Sequence, residues 1–210
     1  MFPILPLDLL LAAGTRLASA TTLPQPDNIT IASINVEGTG CPQGTISTAV
    51  SADRTTITFG FDDFHPYIGP GISHADKTKT CNMTLTLSHP LGYNFGILDT
   101  VYHGFARLDA NLTATLWSSY TIARDGAGND TLQTKANIAG ELVGVFTRTE
   151  AVTEESELAS RCGRDKSQLQ VTTRATLTSS SSSTSGGWDE EPPFSLMVQQ
   201  IRLRWSTCKE

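Results

Sequence analysis

Charge is scarce in this sequence: only 17% of its 210 residues are charged, and acids outnumber bases 21 to 15. The bases form no run that could neutralise several phosphates at once, so nucleic acid is not an expected partner. Long apolar stretches are also missing. Past residue 20 none approaches the ~20 residues a bilayer-spanning helix needs, and the final residues, Arg202-Leu-Arg-Trp-Ser-Thr-Cys-Lys-Glu210, are not the hydrophobic tail of a lipid-anchored precursor. Signatures of catalysis and metal binding are equally thin. His65, His74, His89 and His103 show no H-x-H or H-E-x-x-H spacing, the cysteines no C-x-x-C spacing, and there is no G-x-S-x-G elbow. No metal and no cofactor is therefore expected. Asp125-Gly-Ala-Gly-Asn-Asp130 has the Gly/Asp content of a calcium loop but no Glu at its far end, and reads better as a hairpin turn.

What is present points outside the cell. Phe2 to Ala13 is apolar and is followed by Ala18-Ser19-Ala20, the small-x-small pattern accepted by signal peptidase. Residues 1–20 are expected to be a signal peptide cleaved before Thr21, since Pro3 and Pro6 disfavour a buried helix there. Four N-x-S/T acceptors follow, at Asn28, Asn82, Asn111 and Asn129. Cys41, Cys81, Cys162 and Cys208 form an even set suited to disulfides in an oxidising compartment. The sequence permits three pairings. Pairing of sequence neighbours, Cys41 with Cys81 and Cys162 with Cys208, is expected, each bond closing a loop of about 40 to 46 residues and contributing ~3 to 4 kcal/mol on a chain-entropy estimate.

Abundant Thr and Ser with few charges fit a β-rich extracellular surface. After an exposed lead-in and the start of the first strand at 21–33, a single domain over 34–210 is expected. Strand signals recur at Asn28–Val36, Thr45–Val50, Thr55–Phe61, Lys79–Ser88, Tyr93–Ala106, Asn111–Ala123, Ile138–Thr147, Gln168–Leu177 and Phe194–Ser206, separated by Gly, Pro, Asn or Asp. That cadence predicts an all-β, antiparallel, jelly-roll-like sandwich stapled by two disulfides. Side chains alternate faces along a strand, which tests the glycan reading. Cys81, Met83, Leu85 and Leu87 form one apolar face and leave Asn82 outward; Leu112, Ala114 and Leu116 do the same for Asn111. In the last strand Leu196 and Val198 have one parity and Ile201, Leu203 and Trp205 the other, so a β-bulge is expected near Gln199-Gln200. The Ser-rich, acidic stretch 178–193 reads as a loop within the domain, and 150–160 as a helical turn or an acidic loop.

The best candidate site is Phe61-Asp-Asp-Phe-His-Pro-Tyr-Ile-Gly-Pro-Gly71. Asp62, Asp63 and His65 lie there among Phe64 and Tyr67, a mixture in which rings stack on a pyranose while carboxylates accept its hydroxyl protons. The alternative is a structural corner, with Phe61 and Phe64 in the core, Asp62 bonded to turn amides, and Gly69 and Gly71 supplying positive φ. A glycosidase would need a second carboxyl ~5 to 9.5 Å from Asp62 or Asp63, for which Asp99, Asp109 and Glu141 are candidates.

Three blocks carry a resemblance: Gly38-Thr-Gly-Cys-Pro-Gln-Gly-Thr45; the 61–71 segment followed by Lys79-Thr-Cys81 and an alternating strand; and Cys162-Gly163 with Leu203-Arg-Trp-Ser-Thr-Cys208. Over roughly residues 34 to 208 the chain resembles an uncharacterised family of small secreted proteins, mostly fungal, named domain of unknown function 4360. The resemblance implies export and a β-fold, and no activity. The sequence is read as that of a secreted, monomeric glycoprotein that binds an extracellular glycan or a host or wall protein without turnover. The alternative is a carbohydrate-active enzyme built on Asp62 or Asp63.

Overall fold

The computed structural model describes residues 26–69, 71–73, 75–123, 131–152, 158–180 and 194–208, with the side chains of 194–196 excepted. The expected signal segment, residues 124–130 with Asn129, residues 153–157 and most of the Ser-rich stretch lie outside the described residues.

Ten strands are described: β1 (Thr30–Glu37), β2 (Ile46–Val50), β3 (Thr56–Phe61), β4 (Thr78–Ser88), β5 (Tyr93–Leu108), β6 (Leu112–Ile122), β7 (Thr131–Ala139), β8 (Leu142–Ala151), β9 (Lys166–Ser179) and β10 (Phe194–Thr207). They form two five-stranded sheets, ordered β1-β4-β9-β6-β7 and β2-β3-β10-β5-β8, in which every pairing is antiparallel. Setting aside β1 and β2, the orders β4-β9-β6-β7 and β3-β10-β5-β8 are those of a jelly roll. The pairs β3/β4, β5/β6, β7/β8 and β9/β10 each split between the two sheets, and β1 and β2 add one edge strand to each. The expected fold class is the observed one.

Alternation builds the core. Along β4, Cys81, Met83, Leu85 and Leu87 are buried while Asn82 is exposed; along β6, Ala114, Leu116, Ser118, Tyr120 and Ile122 are buried. Facing them from the other sheet are Ile57, Phe59, Phe61, Tyr102, Ile201 and Trp205, each buried at 2% exposure or less. Each such aliphatic or aromatic side chain is worth ~1.5 to 3 kcal/mol when fully buried.

Two expectations are corrected. The segment Ile138–Thr147 is not one strand: β7 ends at Ala139, Gly140 and Glu141 turn, and β8 begins at Leu142 in the other sheet. The turn is fixed by the Gly140 amide donating to the Leu112 carbonyl (2.8 Å), and its two residues are too few to break the strand-like composition. The bulge expected near Gln199-Gln200 is absent there. Met197, Gln199, Ile201, Leu203 and Trp205 all face the core without interruption, and register shifts instead fall between Ser195 and Val198 and between Arg202 and Leu203. Val198 therefore points away from the core and Gln199 into it.

Gln199 belongs to a polar cluster at the centre of the sandwich. Its amide nitrogen donates to Ser118 Oγ (3.1 Å) and Tyr120 Oη (3.0 Å), and its Oε1 accepts from Thr173 (2.6 Å). Tyr102 Oη donates to Ser118 Oγ (2.7 Å) and lies 3.0 Å from Thr134 Oγ1, while Tyr120 Oη lies 2.6 Å from Thr100 Oγ1. All seven side chains are buried and come from both sheets, so each polar atom taken from water has found a partner. Burial pushes the Tyr102 phenol far above its ordinary range, and the neighbouring Tyr120 adds to the shift.

The disulfides pair as expected, Cys41 with Cys81 (Cα–Cα 5.5 Å) and Cys162 with Cys208 (5.7 Å). The second ties the loop before β9 to the end of β10, next to Trp205. That indole packs on Phe95 (5.3 Å) and His89 (5.7 Å) and donates to the Arg54 carbonyl (2.9 Å). His89 is itself buried, 2.9 Å from Ser167 Oγ, so it is a core side chain rather than a surface one.

Candidate binding surface

The first two sequence blocks meet at one corner of the sandwich. The β1–β2 connection and the β3–β4 connection both pass there from one sheet to the other, and Cys41–Cys81 joins them. Gly40 lies flat against the Phe64 ring, where an added Cβ would come within 2.4 Å of ring carbons; at Gly38 (φ 144°) it would meet the Thr80 carbonyl oxygen at 2.1 Å. Gly40 donates to the Thr80 carbonyl (3.0 Å), and the Asp62 amide donates to the Thr45 carbonyl (3.0 Å). Phe61 and Phe64 are both buried with ring centroids 4.9 Å apart.

These contacts assign most of the 61–71 segment to the fold. Phe64 stacks on Phe61 and Gly40 with 1% exposure, so its ring is not open to a ligand. Asp62 anchors the corner through its backbone rather than its carboxylate. Gly71 has positive φ (79°), whereas Gly69 does not. Tyr67, 38% exposed, is the aromatic residue of this segment that reaches solvent, and its amide donates to the Asp76 carbonyl (2.8 Å). Asp62 and Asp63 are exposed, with Asp63 Oδ1 3.4 Å from His65 Nδ1. Asp76, which sequence reasoning did not single out, is a third carboxylate here. Ser73 Oγ donates to it (2.7 Å) and Lys79 Nζ lies 3.3 Å away; these hydrogen bonds hold it below the usual carboxylate range. The Ser73-x-x-Asp76 spacing was the available signal.

A shallow cleft of about 380 Å³ opens beside the corner, lined by Ile34, Asn35 and Val36 of β1, the Pro42-Gln43-Gly44 turn and Ile46 of β2. Thr45, between Gly44 and Ile46, is the residue that receives the Asp62 amide, so cleft and corner share a wall. The surface thus combines a phenol face, carboxylate acceptors and a partly apolar cleft.

The other acidic candidates lie elsewhere. Asp99 is enclosed in a two-point ion pair with Arg202, which is in register with Thr56 at the far end of β3 from Asp62. Six residues of strand separate the two ends, about 20 Å. Asp109 sits at the turn that follows β5 and Glu141 at the turn that leads into β8, strands two and three across the sheet order from β3. Asp62 and Asp63 are therefore not brought to the spacing of an acid and a nucleophile with any of the three. Among the described residues no group of three or more His, Cys, Asp or Glu is placed to hold a metal. Of the sequons, Asn28, Asn82 and Asn111 are exposed, and Asn82 Oδ1 accepts a hydrogen bond from Thr172 (2.9 Å).

A family model described as a domain of unknown function, number 4360, matches residues 27–208. The chain belongs to this family. A curated relative, an uncharacterized secreted protein of Arthroderma benhamiae, is 26% identical over 185 residues, covering 88% of this chain and 74% of its own. Among solved structures, TmCBM61 in complex with β-1,4-galactotriose aligns with a TM-score of 0.29 and 7% identity, over 85% of this chain and 90% of that one. The enzymatically active domain of bacteriophage CBA120 tailspike protein 4 aligns with a TM-score of 0.28 and 10% identity, over 85% of this chain and 20% of that one. The matched residues include the 38–45 and 61–81 blocks that meet at the corner.

Proposed function

We propose that this member of domain of unknown function 4360 is a secreted glycoprotein that binds an extracellular glycan, or a wall or host protein, at the corner and cleft, with no turnover of its own. The observation that carries the reading is that Tyr67, Asp62 and Asp63 are all exposed on the same β3–β4 connection, at a corner held together by other groups. Phe61, Phe64, Gly40 and the Cys41–Cys81 bond hold the loop. Tyr67 and the two carboxylates add little to that frame, and an aromatic face beside acceptors suits a sugar ring. The secreted relative supports export, as do the small-x-small leader and the outward Asn82 and Asn111.

The test is a screen of the secreted protein against immobilised glycans and wall polymers, repeated with Tyr67→Ala, Asp62→Asn and Asp63→Asn. Retention of a ligand by the native protein and its loss in Tyr67→Ala, with secretion and melting temperature unchanged, is the expected result. Hydrolysis of a glycan that stops in Asp62→Asn or Asp63→Asn would make the protein an enzyme and overturn this reading. Loss of secretion in both Asp variants would assign the carboxylates to the structural corner.

A further inference from the structure

The outer face of the sheet containing β6 has a composition unlike the rest of the chain. Along β4, β9, β6 and β7 every outward position is Thr, Ser, Asn, Gln or Ala except four: Trp117, Lys135, Lys166 and Arg174. No Asp or Glu occupies an outward position on these four strands, although the chain as a whole has a net charge of −6; the edge strand β1 brings one acid to this face, Glu37 opposite Asn82, three strands from Trp117. Among the described residues none of the three cations has a carboxylate at ion-pair distance. Three of the four exceptions lie in one row. Arg174 of β9, Trp117 of β6 and Lys135 of β7 are register partners, and the Arg174 guanidinium lies over the Trp117 ring at 4.9 Å from its centroid.

We propose that this face docks an anionic polysaccharide, with the Arg174–Trp117–Lys135 row as its centre. The site is distinct from the corner of Tyr67 and adds a ligand class to it. Stacking on Trp117 fixes the plane of the Arg174 fork, which then presents its outer N–H groups to a carboxylate in bidentate geometry. Lys135 stands on the other side of the indole, two strand spacings or about 10 Å from Arg174, the scale of a disaccharide. Between and around the cations lie hydroxyl and amide groups that exchange hydrogen bonds with sugar hydroxyls, among them Thr115, Ser119 and Thr176. The absence of outward carboxylates on these strands removes the repulsion an acidic polymer meets on the rest of an acidic protein. Asn82 lies on the same face, on the strand next to that of Arg174 and one outward position along from Thr80, the register partner of Arg174, so a glycan there flanks the Arg174 end of the row and leaves the Trp117–Lys135 side open.

The experiment is affinity gel electrophoresis of the full-length secreted protein through polygalacturonate and, separately, through its fully methyl-esterified form. Retardation by polygalacturonate and not by the ester is expected. Arg174→Gln and Lys135→Gln should each weaken the apparent Kd about tenfold, the loss of one charge-assisted contact. Trp117→Ala should weaken it at least as much, because it removes both the stacking surface and the support of Arg174. Arg161→Gln, an exposed cation in the loop before β9, should change nothing. Melting curves of each variant keep loss of binding separate from loss of fold. Equal retardation by the ester, unchanged retardation of Arg174→Gln, no retardation of the native protein, or tighter binding of single-stranded DNA than of polygalacturonate would each overturn the proposal.

Discussion

Gln199 is a polar amide at 0% exposure among aromatic and aliphatic side chains, tolerated because Ser118, Tyr120 and Thr173 satisfy it. Replacement by Ala removes three hydrogen bonds, orphans buried hydroxyls and leaves a void. Gln199→Ala should therefore lower the unfolding free energy by ~2 to 4 kcal/mol in a urea titration with unchanged slope. A loss below ~0.5 kcal/mol, the level of an ordinary surface substitution, would show that the cluster is not cooperative. Tyr102 in the same cluster adds a pH dependence. Its folded phenol holds its proton above the ordinary pKa of 10.0, whereas the unfolded phenol releases it. The contribution is complete below pH 10 and declines above it, because the unfolded state then binds fewer protons than the folded one, by up to ~1.4 kcal/mol per pH unit. Urea midpoints measured from pH 8 to 11 should fall more steeply for the native protein than for Tyr102→Phe. Parallel slopes would contradict this. At the corner, Gly40→Ala places a methyl group on the Phe64 ring, and a loss of ~1 to 3 kcal/mol is expected by the same titration.

The corner exists because two connections, β1–β2 and β3–β4, change sheets side by side, and the Cys41–Cys81 bond makes them one unit. Replacing both cysteines by Ser should cost ~2 to 4 kcal/mol and open the 38–45 turn to limited proteolysis before the sheets unfold; an unchanged cleavage pattern would place the loop's rigidity elsewhere. Most of these elements were legible in the sequence. The alternation of Cys81 to Leu87 against Asn82 to Thr86 fixes both the face of β4 and the outward sequon, since a period of two has only one way to bury four apolar residues. The β7–β8 turn was not legible, because Gly140-Glu141 is short and both flanks carry strand-forming residues. Nor was the last strand's register: Val198 looks like a core residue and Gln199 like a surface one, and only its hydrogen-bond partners on β6 and β9, in the opposite sheet, reverse that order. For the candidate surface, the segment was visible but its roles were mixed. Phe64 and Tyr67 are both aromatic, and burial against Gly40, a long-range contact, separates the core ring from the exposed one. Trp117 had the outward parity of Thr113 and Thr115 in the sequence, but its cationic neighbours come from β7 and β9 and appear only with the register.

Taken whole, the molecule is a jelly roll widened by one strand on each sheet, with its disulfides at the β1–β2 turn and the last strand, and with both proposed binding surfaces on its exterior. The interior is committed to packing and to the polar cluster, so the positions free to vary for binding are Tyr67 with its carboxylates and the face around Trp117. Both proposed surfaces presuppose export through an oxidising secretory compartment, where disulfides form and sequons such as those at Asn82 and Asn111 become accessible to glycosylation. That is the claim on which the rest depends, and mass spectrometry of the secreted protein, intact and as peptides, with and without reduction and deglycosylation, tests it most directly. A mature chain starting at Thr21, with Cys41–Cys81 and Cys162–Cys208 linked peptides and N-glycan at Asn82 or Asn111, is the predicted result. An uncleaved chain with free thiols and bare asparagines would contradict it.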